Sequence, residues 1–369
     1  MSALPYWKIS LANYYDPRSG MSWPTPIHSN RQINKAGDTL ARATSPNEDE
    51  INDAVKVVAH WRACHGYPIN TLRTNLIHRV KTCASSAVVA QRLKRQSSIV
   101  GKLRRFPTMK LIQMQDIGGL RSVVKTIKEV RGLQADYEKG YAKHQLIRTD
   151  DYISDPKSDG YRSVHLIYRY QNEQTPAYDG MMIELQLRTK LQHAWATAVE
   201  TISTAIGQPL KSNQGDQQWR DFFKLVSAAF SHFEDSPVVQ TYNSVPKAEM
   251  YKQVVEAEKN LSALDKLSGL SRAINEITLG SMSAQAYFLI VLNFSMNTVY
   301  VQTFSERQLD DALEAYTKAE IRALNGERID AVLATGGTII NLKKAYPNYF
   351  MDTEVFVSKV KEVIKATQS

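Results

Sequence analysis

Cysteine is nearly absent: Cys64 and Cys83 are the only two in 369 residues. Two thiols cannot make a disulfide framework or a cysteine zinc site, and no C-x-x-C occurs. Long apolar runs are missing too, with no stretch near the ~18 residues that span a bilayer, so no membrane partner is expected. The opening MSALPYWKISLANYYDP has no basic region followed by an apolar core, which argues against a secretory signal. The expected compartment is a reduced cytoplasm. The composition is otherwise ordinary, 43% hydrophobic and 22% charged, which excludes wholesale disorder. The length suits two modest domains, or one large domain with an appendage.

Charge is unevenly placed. Residues 281–369 hold nine basic and ten acidic side chains, whereas residues 79–131 hold thirteen Lys/Arg against Asp116 and Glu129 alone. That one segment accounts for the whole positive excess of +9. A field of this size suits polyphosphate or nucleic acid, although a solvated basic face gives the same count.

Residues 1–45 read as irregular, interrupted by Pro5, Pro17, Pro24 and Pro26. A helix is predicted after Ser45-Pro46, with Glu48, Asp49 and Glu50 in its first turn, ending near Gly66. A second helical stretch runs through Leu72, Leu76, Val80 and Val88 into the basic segment. Leu120–Val124, Val164–Tyr170 and Met182–Arg188 read as strands. Helical periodicity returns through Phe222, Leu225, Val226 and Ala229 and again over 250–277, read here as a linker of helices. AYFLIVLNF, SMNT and VYVQTF form a predicted hairpin, followed by a helix through Leu309, Leu313, Tyr316 and Leu324, the strand IDAVLAT and a last helical region. This ββαβα order predicts a small unit with its own core. The expected division is 1–205, 206–280 and 281–369.

Four patterns carry chemistry. In DIGGLR, Asp116 stands at a strand entrance beside two glycines and ahead of Arg121, a placement suited to Mg²⁺ held with phosphate oxygens, or to an ordinary structural turn. In MMIELQLRT, alternation puts Glu184, Gln186 and Arg188 on one face and Ile183, Leu185 and Leu187 on the other, as a wet edge strand also would. DPKSDGYRSVHL bends at Pro156 and Gly160 and presents Lys157, Tyr161, Arg162 and His165. Its tyrosine is a platform for a nucleobase or packs beneath the loop. RLKRQSSIVGKLRR sets Arg92, Lys94, Ser98 and Lys102 near helical spacing, able to line a triphosphate or to face solvent.

Together, in this order and followed by His193-Ala-Trp195, these motifs resemble the synthetase domain of the RelA/SpoT family over roughly residues 75–205. The resemblance implies an α/β (α+β) fold, a nucleotidyltransferase-like mixed sheet flanked by helices. It implies transfer of pyrophosphate from ATP. Arg92, Lys94, Ser98, Lys102 and Arg121 would hold ATP, and Asp116 would bind Mg²⁺. Glu184 would be second metal ligand or base. Tyr161 would stack on the acceptor base, with Lys157, His165, Gln186, Arg188 and His193 around its phosphate or sugar. No His-Asp dipeptide occurs, so the family's hydrolase has no visible site.

The implied acceptor is the 3′ hydroxyl of the tRNA CCA end or of GDP/GTP, and the basic excess leans toward tRNA. The segment after residue 280 resembles the C-terminal unit of the CapRel-type fused toxin–antitoxin synthetases, which looks like a zinc-finger fold without zinc. Residues 281–369 indeed contain no Cys and no His. The resemblance implies that this unit holds the toxin closed through Tyr346, Tyr349 and Phe350, and that a phage trigger protein, such as a major capsid protein, opens it. The hairpin face at Phe288, Ile290 and Leu292 is either a recognition surface or core. A truncation near residue 275 is expected to release activity.

Overall fold

A computed structural model describes residues 23–273 apart from 43, 45–46, 85, 141, 207, 209 and 211–214. It also describes 277–278, 287–335 apart from 294, 297, 325–326 and 328, and 353–368. Tyr346, Tyr349 and Phe350 lie outside the described residues.

The described residues open with three helices: α1 (Asn30–Arg42), α2 (Glu48–Cys64) and α3 (Gly66–Cys83). The first corrects the irregular reading of 1–45. Pro24 and Pro26 precede it, and Ser29 and Gln32 cap it reciprocally: Gln32 N donates to Ser29 Oγ at 3.3 Å and Ser29 N to Gln32 Oε1 at 2.8 Å. Asn47 caps α2 through the amide of Glu50, with acids in the first turn.

The helical stretch into the basic segment also needs correction. Helix α3 stops at Cys83, and Val88 opens a strand, β1 (Val88–Leu93). Helix α4 (Gln96–Arg105) then begins, so Arg92 and Lys94 do not share a helix with Ser98 and Lys102. There follow β2 (Gly118–Val124), α5 (Ile127–Glu138), β3 (Gln145–Asp151), β4 (Val164–Arg169) and β5 (Met182–Thr189). Their sheet runs β1-β2-β5-β4-β3, with β2 and β5 parallel and every other pair antiparallel. Strand β5 is therefore central and not an edge.

One face of the sheet is apolar. Leu120, Leu166, Ile183, Leu185 and Leu187 pack with Leu72, Leu76 and Val80 of α3 and Val130 and Leu133 of α5. Ile183, Leu185 and Leu187 have no exposed surface, each burial contributing about 1.5–3 kcal/mol. The opposite face carries the polar residues of β5.

Helices α6 (Lys190–Ala205), α7 (Gln217–Glu234), α8 (Lys247–Leu261) and α9 (Ala263–Ala273) follow. They are more than a linker, because they share a core containing Trp195, Phe222, Phe223, Val226 and Met250. A second sheet, ordered β6-β8-β7-β9, comprises β6 (Ile277–Thr278), β7 (Tyr287–Asn293), β8 (Thr298–Phe304) and β9 (Ile329–Thr335). Helix α10 (Leu309–Leu324) covers it through Ala312, Tyr316 and Ala319. Phe288, Ile290 and Leu292 are at most 2% exposed and form core rather than an open surface.

The last helix, α11 (Glu354–Lys365), departs from the expected ββαβα unit. Its Phe356, Val360 and Val363 are fully buried in the core of α6–α9. A truncation near residue 275 would thus strip a helix from that core and expose it, so it is not a clean test of inhibition.

The second sheet and α10 sit on the N-terminal helices. Arg62 of α2 donates to Glu320 of α10 at 2.6 Å and lies 5.0 Å from the Tyr316 ring centre. Beside this pair is a mostly apolar cavity of about 480 Å³ between Val55 and Ala59, Gln91 and Arg92, and Tyr316 and Val332.

Candidate active site

Register on the polar face explains why the candidates meet. Gln186 of β5 is flanked by Arg121 of β2 and His165 of β4, and Asp150 of β3 stands opposite His165. One row along, Glu184 is flanked by Gly119 and Ile167. The two glycines of DIGGLR serve different ends. A Cβ on Gly118 would lie 2.9 Å from Ile183 Cδ1 and from Ile69 Cγ1, so that position is small for packing. A Cβ on Gly119 would meet nothing nearer than Arg92 Cγ at 3.7 Å, so that position keeps open the lane beside Glu184.

Five side chains close a hydrogen-bonded ring. Tyr161 Oη lies 2.8 Å from His165 Nε2, and His165 Nδ1 lies 2.9 Å from Glu184 Oε1. Gln186 Nε2 donates to Glu184 Oε2 at 2.7 Å, and Arg188 donates to Gln186 Oε1 at 2.6 Å and to Tyr161 Oη at 3.0 Å. Arg121 Nε reaches Gln186 Oε1 at 3.4 Å. Burial alone would push the Glu184 carboxyl up, but His165 and Gln186 outweigh it and bring it to about 2. Burial would lower His165; Tyr161 and Glu184 instead raise it to about 9. Tyr161 is drawn below its ordinary range by Arg188 and His165 against the opposing effect of burial.

Asp116 lies just before β2. Its Oδ2 accepts from Lys94 at 2.7 Å and its Oδ1 from Lys102 at 2.9 Å. Burial would raise this carboxyl, yet the two ammonium groups hold it far below the usual carboxylate range. The Asp116 charge in turn acts on Glu184. Arg121 is pushed down to about 9 by burial and then by Arg188 and Arg92. Crowded guanidinium groups of this kind form a ready site for an anion.

The structure thus joins Lys94, Lys102 and Asp116 in one cluster, and Arg121, Tyr161, His165, Glu184, Gln186 and Arg188 in another. Arg92 is exposed on β1 and acts on both Lys94 and Arg121 through its charge. Ser98 is exposed on α4, one turn before Lys102, and His193 is buried in the first turn of α6. Lys157 sits 4.1 Å over the Tyr152 ring and 5.3 Å over that of Tyr161. Sequence reasoning missed Tyr152, whose place after β3 follows no motif.

As metal ligands, Asp116, just before β2, and Glu184, on the neighbouring β5, are hard oxygen donors. No group of three or more His, Cys, Asp or Glu is placed to hold a metal among the described residues. Two carboxylates completed by substrate phosphates are nevertheless the usual Mg²⁺ donor set, so the residues fit that ion.

Residues 91–203 match the family described as "Region found in RelA / SpoT proteins". The chain is 31% identical over 119 residues to GTP pyrophosphokinase YjbM of Bacillus subtilis, covering 31% of this chain and 55% of that protein. It is 31% identical over 136 residues to the uncharacterized protein Rv1366 of Mycobacterium tuberculosis, covering 37% and 46% respectively. The chain therefore spans about half the length of these two curated relatives. Among solved structures, small alarmone synthetase 2 of Bacillus subtilis aligns at 24% identity and a TM-score of 0.41, over 48% of this chain and 93% of that one. The matched span, residues 91–203, contains both side-chain clusters described above.

Proposed function

We propose that the chain is an autoinhibited pyrophosphotransferase that moves pyrophosphate from ATP to a ribose 3′ hydroxyl. The observation that carries this reading is the pair Asp116 and Glu184 beside adjacent strands, with cations on one side and an aromatic, cation-rich loop on the other. Lys94, Lys102, Arg92 and Arg121 meet the triphosphate, with Ser98 at the helix turn beside them. Tyr161 and Lys157 meet the acceptor base, and Arg188, Gln186, His165 and His193 its phosphate and sugar.

Asp116 and Glu184 would hold Mg²⁺, which supplies charge neutralisation on the transferring phosphates when bound. Lys94 and Lys102, which bond to Asp116, would also reach phosphate oxygens. The acceptor hydroxyl oxygen attacks the β-phosphorus in line and its proton passes to Glu184 or to solvent, while the bond from the β-phosphorus to the bridging α-phosphate oxygen breaks and AMP leaves, with Arg121 and Arg92 absorbing the developing charge. Glu184, whose carboxyl His165 and Gln186 hold below its ordinary value, would be second metal ligand or the base toward the acceptor hydroxyl.

For the acceptor, the basic excess of residues 79–131 favours the CCA end of tRNA. The name of one relative, a GTP pyrophosphokinase, favours GDP or GTP as the second reading. The chain incubated with γ-labelled ATP, bulk tRNA and GDP decides between them. Label at the tRNA 3′ end supports the first; label confined to guanosine nucleotides rejects it.

The proposed inhibitor is the zinc-finger-like unit after residue 280, acting in cytoplasmic anti-phage defence and released by a phage protein. Supporting this, its β7, β9 and α10 line the same cavity as Arg92. A trigger shifts such an equilibrium only through its differential affinity for the two states. The roles of Tyr346, Tyr349 and Phe350 remain part of this proposal and are tested by their joint replacement with alanine.

A further inference from the structure

Helix α7 lies outside residues 91–203 of the RelA/SpoT region, yet it is built into the loop that carries Tyr161. Gly160 has φ +92°, and a Cβ there would stand 2.8 Å from Ser227 Cβ and 3.2 Å from Lys224 Cα, so the loop backbone rests directly on α7. The Ser227 hydroxyl donates to Gly160 O at 2.5 Å and accepts from Arg162 Nε at 3.2 Å. One side chain therefore holds the residues on either side of Tyr161. Ser227 is 2% exposed and Arg162 4%, so neither bond is replaced by bulk water when lost.

Arg162 also lies in the field of the Glu234 carboxylate. Its Nη1 donates weakly to Ser236 Oγ at 3.4 Å, and its Nη2 is buried without a hydrogen-bond partner among the described residues. Trp195 of α6 closes the other side, donating from Nε1 to Phe223 O at 2.8 Å. Behind α7, Phe356 of α11 packs 5.8 Å from Phe223 and 5.5 Å from Phe230 between ring centres.

We propose that Ser227 is a positioning residue for the acceptor half of the site: by bonding Gly160 and Arg162 together it fixes the backbone from which Tyr161 reaches the acceptor base. The inference rests on the proposed pyrophosphate transfer for the word acceptor, but not for the geometry. The hydrogen bonds of Ser227 go to the Tyr161 loop, at Gly160 and Arg162, so its loss is expected to bear on the acceptor more than on ATP.

The test compares Ser227→Val with Ser227→Thr in the full chain. The two replacements have equal bulk, and only threonine keeps the hydroxyl. With GDP and bulk tRNA as acceptors, the acceptor KM of S227V should exceed that of S227T about tenfold, while the ATP KM is the same. Amides of residues 160–162 should exchange with deuterium faster in S227V than in S227T. Ser227→Ala, which adds no bulk, should reproduce S227V. Equal acceptor KM and equal exchange in the two variants would overturn the proposal, as would parallel rises in both KM values. If the full chain transfers nothing, as the proposed closed state would, hydrogen exchange alone decides the positioning role.

Discussion

Arg62 and Glu320, 258 positions apart in the chain, form an ion pair whose side chains are only 8% and 13% exposed. Breaking one partner of such a buried pair typically costs about 3–5 kcal/mol, because the other charge is stranded. Glu320→Arg and Arg62→Glu should each loosen the second sheet from α2, raising protease cleavage between residues 273 and 287. The double exchange should restore protection. If each single exchange stays as protected as the wild type, this pair does not hold the contact.

Asp116 is paired with two lysines, and Glu184 with a histidine and the hydrogen-bonding amide of Gln186. Asp116→Asn and Glu184→Gln keep these shapes and remove the charge. Each should lower pyrophosphate transfer by about 10²-fold or more while ATP still protects the chain from thermal unfolding. Full transfer by both variants would exclude the two-carboxylate reading.

The adjacent glycines of DIGGLR should respond differently. Gly118→Ala drives a Cβ to 2.9 Å from Ile183 and Ile69, and overpacking of this kind costs about 1–3 kcal/mol in denaturant melts. Gly119→Ala has room and should melt like the wild type, but it narrows the lane beside Glu184 and should lower transfer. Equal melting midpoints for the two variants would remove the distinction.

His65, between α2 and α3, is 1% exposed, with its Nδ1 2.9 Å from Trp61 O. Burial pushes its imidazole down to about 4 from 6.5, only partly opposed by that carbonyl. The unfolded chain therefore takes up a proton near pH 6.5 that the native state refuses until about pH 4. Its neutral form contributes fully above pH 6.5, and roughly 3 kcal/mol is lost as pH falls toward 4. Urea midpoints measured from pH 7 to pH 4 should fall more steeply for the wild type than for His65→Gln. Parallel slopes would show that His65 does not carry the effect.

Strands β4 and β5 were legible because one face is apolar at period two, Val164, Leu166 and Tyr168 in one and Ile183, Leu185 and Leu187 in the other, and β2 showed as the short run Leu120–Val124. Strands β1 and β3 were not. VVAQRL and QLIRTDD lie at sheet edges with mixed burial, and β1 merges into a basic run whose spacing also fits a helix. Helix α1 was obscured by the prolines before it, although its Ser29–Gln32 cap was available to be read. Most candidate site residues could be named because Asp116, Glu184 and their cations stand in short motifs. Tyr152 and Ser227 could not, since nothing local distinguishes them from any surface tyrosine or core serine.

Residue type and local period were enough to assign the polar face of β5, the cationic run and the hairpin after residue 286, because each depends on neighbours within a few positions. Tertiary structure alone decided that β5 is central, that α11 plugs the α6–α9 core and that α7 holds the Tyr161 loop. It alone also brought Arg62 to Glu320. These are contacts between distant segments, set by which buried surfaces and charges fit one another, and no short stretch of chain carries that information.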